Sequence, residues 1–154
     1  MPTRRDLLAG AAALPILGEA QSMPEYKARV FSSAELDLIR DLAETIIPRT
    51  ETPGAADAKV QLHIDRAMSG RPRAEWAEFR RGLAGVTKAL KLGKSHTEIL
   101  TGLSAAKAPF FRRIKEMTID GYYASKEGLA TELGWHGYTV VPAFKGCTHK
   151  EHQG

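Results

Sequence analysis

Residues 70–93 read Gly-Arg-Pro-Arg-Ala-Glu-Trp-Ala-Glu-Phe-Arg-Arg-Gly-Leu-Ala-Gly-Val-Thr-Lys-Ala-Leu-Lys-Leu-Gly, and Trp76, Phe79, Leu83, Val86 and Leu90 recur there at alternating steps of three and four. That period places five apolar side chains on one face of a helix. Gly70-Arg71-Pro72 breaks the chain before it, and Gly93 ends it. Lys91 and Lys94 stand where positive charge suits the negative end of a helix. No other stretch of the chain states its secondary structure so clearly.

Working outward, the flanking segments repeat the helical signal. On the N-terminal side, Phe31-Ser32-Ser33-Ala34-Glu35-Leu36 is a capping box, with Phe31 and Leu36 as a staple around it. Leu36, Ile39, Leu42, Ala43, Ile46 and Ile47 then follow at helical spacing until Pro48 stops them. Residues 48–55, Pro-Arg-Thr-Glu-Thr-Pro-Gly-Ala, form a turn stiffened by two prolines. A second helix is expected from about Ala55 to Met68, burying Val60, Ile64 and Ala67. On the C-terminal side, Ser95-His96-Thr97-Glu98 is another capping box and opens a short helix with Ile99, Leu100 and Leu103. Pro109 fits the first turn of a fifth helix, whose Phe110, Phe111, Ile114 and Met117 form its apolar stripe. Beyond it, Gly121, Gly128, Gly134, Gly137 and Gly146 alternate with Tyr122, Tyr123, Trp135, Tyr138 and Phe144, which reads as loops and short helical turns. Tyr138-Thr139-Val140-Val141 is the one weak strand candidate. The expected class is all-α: a small irregular domain of about five helices with an aromatic, Gly-rich C-terminal tail.

A different kind of segment precedes the helices. Arg4-Arg5 stands immediately before the apolar run from Leu7 to Leu17, and Gly18-Glu19-Ala20 offers a small-residue cleavage site. This is the layout of an export signal, and eleven apolar residues are too few to span a bilayer. The arginine pair before a weakly hydrophobic, Ala-rich run points to the twin-arginine route, which carries folded cargo. The usual pattern has Phe and Lys where this chain has Leu7 and Ala9. Residues 1–20 are therefore expected to be the signal, and 21–154 a single domain.

Composition limits the function. With 43% apolar residues the chain can bury a core, and 154 residues are too few for two domains beside a signal. Residues 1–20 hold two basic and two acidic residues, so their removal leaves the net charge at +4. Charges are interspersed along the sequence, which argues against nucleic acid as a partner and against a polybasic membrane patch. The single cysteine, Cys147, has no partner within the chain. In an oxidising compartment it reads as a bridge to another chain or a reactive thiol, against the plainer reading of a half-buried free cysteine.

Chemistry-bearing patterns are scarce. No Gly-rich dinucleotide or phosphate loop and no Cys-x-x-Cys-His haem site occurs. His63, His96 and His136 stand apart from one another, and His63 and Asp65 lie two residues apart on a helix, facing different ways. Cys147-Thr148-His149 with His152 is the only reactive cluster, and a Gly-flanked tail holds geometry poorly. No catalytic, cofactor-binding or metal-ligating residue is assigned. Tyr122, Tyr123, Trp135, Tyr138 and Phe144 read either as anchors for a partner protein or as a tail folded back over the core.

Four stretches together resemble a known family. They are residues 42–55 (Leu-Ala-Glu-Thr-Ile-Ile-Pro-Arg-Thr-Glu-Thr-Pro-Gly-Ala), Phe110-Phe111 with Lys115, residues 118–137, and Gly146-Cys147 with His149. In this order they resemble subunit 3, the small or gamma subunit, of bacterial FAD-dependent sugar and sugar-acid dehydrogenases such as gluconate 2-dehydrogenase. The chain departs from the family at Lys126, where an acid is usual. The resemblance implies a non-catalytic companion, without a cofactor of its own. Its partners would be a large FAD-binding subunit and a multihaem cytochrome c subunit. It would reside in the periplasm and be membrane-associated through those partners. It would help export and folding of the flavoprotein, with Cys147 as the candidate intersubunit disulfide. The alternative is a stand-alone exported helical interaction module, and a third reading is a small thiol enzyme using Cys147 and His149.

Overall fold

The computed structural model describes residues 26–135, and every regular element in them is helical. Five α-helices follow in order: α1 Ser33–Ile46, α2 Val60–Ser69, α3 Arg73–Lys91, α4 His96–Ala105 and α5 Pro109–Tyr123. A π-helical segment, Glu127–Glu132, closes the described chain. The all-α expectation of about five helices holds. The export signal with Arg4 and Arg5, and Tyr138, Phe144 and Cys147 of the tail, lie outside the described residues.

Local sequence chemistry sets most helix ends. Both capping boxes form: Ser32 accepts from the Glu35 N–H while Glu35 accepts from the Ser32 N–H, and Ser95 and Glu98 repeat the exchange. Each box satisfies two N–H groups that a helix start leaves without partners. Pro109 occupies the first turn of α5, where its missing N–H costs nothing. At the other end of α2, Trp76 Nε1 donates to the Met68 carbonyl at 2.7 Å, tying α3 to a terminal group of α2.

Two boundaries differ from the sequence expectation, each for a physical reason. The second helix starts at Val60 rather than Ala55. The carboxylates of Glu44 and Asp57 accept the N–H groups of Ala56 and Gly54 at 2.8 and 2.9 Å, drawing this backbone into a turn that ends with Lys59 at φ +52°. Such side-chain bonds compete with helix formation. On α2 itself Ala67 is half-buried, while Asp65 and Met68 join Val60 and Ile64 inside. The fifth helix continues through Gly121 to Tyr123, where a loop was expected. Gly121 is there for close packing: a Cβ on it would meet the His63 ring of α2 at 3.0 Å.

The core lies where α1 packs against the other four helices. Ile39, Leu42, Val60, Ile64, Val86 and Ile114 are almost wholly removed from water there. Phe79 carries the sequence period of α3 into it, with Phe31 at 5.4 Å and Phe110 at 5.2 Å between ring centroids. The Phe110 ring lies directly over Gly82, where an added Cβ would come within 2.1 Å of it. Gly82→Ala is therefore expected to displace that ring and destabilise the fold by about 1–3 kcal/mol, as overpacking does. Urea denaturation of the full chain measures it, and an unchanged midpoint would show that Phe110 swings aside freely.

Candidate functional site

Three carboxylates organise the part of the fold that leads to the candidate surface. Asp65, at 0% exposure, accepts the Tyr26 hydroxyl and the Arg29 N–H at 2.7 Å, and the Val30 and Phe31 N–H groups at 2.9 Å. It thereby clamps the segment before α1 onto α2. Burial alone pushes this carboxyl up, but the bonds from Phe31, Arg29, Tyr26 and Val30 together outweigh it and hold it below the ordinary aspartate value. Glu44 accepts the Arg49 and Ala56 N–H groups, both at 2.8 Å. Asp57 pairs with the Arg49 guanidinium and accepts from Gly54. The turn between α1 and α2 is thus tied from both sides, and Gly54 leaves room for it: a Cβ there would lie 2.5 Å from the Glu44 carboxylate.

The end of α5 locks onto this turn. Tyr122 is fully buried, and its hydroxyl donates to the Pro53 carbonyl at 2.7 Å. Two of the four family-like stretches, residues 42–55 and 118–137, therefore meet at one hydrogen bond. Of the two readings of the tail aromatics, partner anchor or core cover, Tyr122 takes the second and is corrected as an anchor: its ring is fully buried between α5 and the turn.

The residues after Tyr122 form a shaped platform. Ser125 Oγ donates to the Tyr122 carbonyl at 2.6 Å and accepts from the Gly128 N–H at 3.1 Å. Gly128 sits so close to that carbonyl that a Cβ would approach within 2.3 Å. The widened π-helical winding follows from that approach, and π-helical turns are frequent at functional sites. Leu133 N–H donates to the Gly128 carbonyl, Gly134 turns the chain at φ +64°, and Trp135 N–H donates to the Leu129 carbonyl at 2.8 Å. Across this platform the Tyr123 hydroxyl donates to Glu132 Oε1 at 2.8 Å.

What the platform presents is apolar. Five large apolar side chains are exposed among the described residues, and four belong to it or its approach: Ile119 at 37%, Tyr123 at 37%, Leu133 at 60% and Trp135 at 43%. Glu116, Asp120, Glu127 and Glu132 lie along the same stretch, with Lys126 the only Lys or Arg between Lys115 and Trp135. Apolar and aromatic anchors on a hydrogen-bonded frame suit a protein interface, with Glu132 among them tied to Tyr123.

Hydrogen bonding to Glu132 raises the Tyr123 pKa, and burial first, then Glu132, raises that of Tyr122, so both phenols stay protonated near neutral pH. Among the described residues no group of three His, Cys, Asp or Glu is placed to hold a metal, and no helix is long and apolar enough to cross a membrane. His63 lies against Gly121 and Asp65 is engaged by the clamp, so the two do not act as a pair. The sequence reading missed Asp65 as an organising group. Its signal was an acid on the apolar face of α2, next to Ile64 and three residues before Met68.

Compared with known proteins, the chain matches the family model described as Gluconate 2-dehydrogenase subunit 3 over residues 33–141. That span takes in all five helices and the platform. No curated protein and no solved structure matches the chain significantly.

Proposed function

The chain belongs to the gluconate 2-dehydrogenase subunit 3 family, and from that premise we propose that it is the non-catalytic small subunit of a periplasmic FAD-dependent sugar or sugar-acid dehydrogenase. The family match over the whole helical body carries this reading. In such a complex FAD sits on the large subunit and haem c on a cytochrome subunit, and this chain holds neither. Its work is to accompany the flavoprotein. A flavoprotein takes up FAD in the cytoplasm, so Arg4-Arg5 on a small companion serves to export both chains folded. The exposed Tyr123, Leu133 and Trp135 supply contact area for the large subunit, and Tyr138 and Phe144 extend it. Cys147 then joins a cysteine of the large subunit, the two thiols giving up two protons and two electrons to the thiol oxidant of the compartment.

The test is a pull-down of the tagged full-length chain from its native periplasm, run on reducing and non-reducing gels. A flavin-containing partner is expected to co-purify and to separate only on reduction. In Leu133→Asp/Trp135→Asp its recovery should fall at least about tenfold, since central apolar anchors carry most of an interface's energy. Separation without reductant would remove the Cys147 bridge and leave the accessory role standing. A stable lone monomer would favour an independent interaction module instead.

A further inference from the structure

Between Glu78 and Glu98 the chain has no acidic residue, yet Arg80, Arg81, Lys88, Lys91 and Lys94 all fall there. Lys88, Lys91 and Lys94 fall at the last turn of α3 and just beyond it, with Arg80 and Arg81 midway along the helix. Arg80 is engaged by Glu35 and the Val30 carbonyl, while among the described residues Arg81, Lys88 and Lys91 form no ion pair and Lys94 has only Glu98 near it. Arg80, Lys88 and Lys91 edge an open groove of about 440 Å³ between α1 and α3, and Arg81 and Lys94 edge another of about 370 Å³ between α3 and α4. At the tip stands Leu92, 73% exposed, the most exposed large apolar side chain among the described residues. Gly93 at φ +84° turns the chain away just beyond it.

The tip pairs an exposed apolar side chain with exposed cations on long, flexible stems. A rigid protein partner would need a matching socket lined with acids, whereas a fluid lipid surface needs none. Lysine stems can lie along apolar material while their ammonium groups stay at the headgroups. We propose that this tip of α3, Leu92 with Lys88, Lys91 and Lys94, docks on an anionic phospholipid surface. Leu92 enters the interfacial layer and the cations meet lipid phosphates. The contact is weak alone and orients a chain that other interactions bring to the membrane. It rests on the α3 geometry and is independent of the proposed subunit role.

Vesicle flotation of the full-length protein tests it, with phosphatidylglycerol–phosphatidylethanolamine vesicles against phosphatidylcholine alone at about 0.1 M salt. Binding to the anionic vesicles is expected, weakening as salt is raised. Lys88→Gln/Lys91→Gln/Lys94→Gln should lower the partition coefficient about 100-fold, given the usual worth of three basic side chains near an anionic surface. Leu92→Ser should lower it several-fold, with circular dichroism confirming an intact helical fold for both variants. Arg4→Gln/Arg5→Gln controls for the N-terminal segment and should keep most of the binding. No preference for anionic vesicles, or binding that the lysine and Leu92 variants leave unchanged, would overturn the proposal. A fall confined to Arg4→Gln/Arg5→Gln would overturn it as well.

Discussion

Asp65→Asn is expected to destabilise the fold by about 3 kcal/mol and to lower its melting temperature by 10 °C or more, on the order expected for a domain of this size. The carboxylate accepts three backbone N–H groups and one phenol in a site closed to water. Asparagine fits the space, but its amide NH2 would face donors, leaving buried N–H groups without acceptors. Hydrogen bonds to a charged acceptor are also the stronger kind. Tyr26→Phe removes one of the four and should cost about 1 kcal/mol, which calibrates the larger effect. The same site predicts a pH dependence. Because the folded carboxyl titrates below its unfolded value, its contribution is fully present above the ordinary aspartate pKa of about 3.9 and is lost as pH falls through the folded value. Calorimetry of the wild-type chain and Asp65→Asn from neutral to acid pH would show it as two stabilities that converge on acidification. A constant difference between them would mean that the charge of Asp65 contributes nothing.

Tyr122→Ala is expected to cost about 4 kcal/mol, the usual range for emptying a large aromatic site. The ring is fully buried, and its hydroxyl is the polar link between α5 and the α1–α2 turn. Tyr122→Phe keeps the ring and leaves the Pro53 carbonyl without its donor, so it should cost about 1 kcal/mol. The pair of variants separates packing from hydrogen bonding. Urea denaturation gives both values, and limited proteolysis should find the 48–57 turn cleaved faster in Tyr122→Ala. Equal costs for the two variants would mean that the hydrogen bond, and not the ring, holds the turn. The platform is attached through the same residue, since Ser125 and Gly128 are built around the Tyr122 carbonyl. Loss of the ring should therefore also loosen Trp135, visible as a change in its fluorescence.

The helices of this chain were legible because their causes are local. Apolar spacing in α3, the Ser32–Glu35 and Ser95–Glu98 boxes and Pro109 each act within a few residues, and each formed as read. The candidate surface was legible in part. Tyr123 and Trp135 are partly exposed, while Tyr122, next to Tyr123 in sequence, faces the core. Adjacent residues on a helix point about 100° apart, so a count of aromatics cannot tell which of two neighbours is inside.

By itself, the sequence determined the all-helical class, where most helices begin and end, the Arg4-Arg5 leader pattern and the family resemblance. These depend on periodicity, capping and motif, which are properties of neighbouring residues. The tertiary structure decided that Asp65 gathers an N-terminal segment some 35 residues away, and that Gly121 serves helix contact rather than a turn. It also decided that Tyr122 joins two distant stretches. Each of these depends on which surfaces the packed helices bring together, and that follows from burying the whole apolar face of the chain at once rather than from any local pattern.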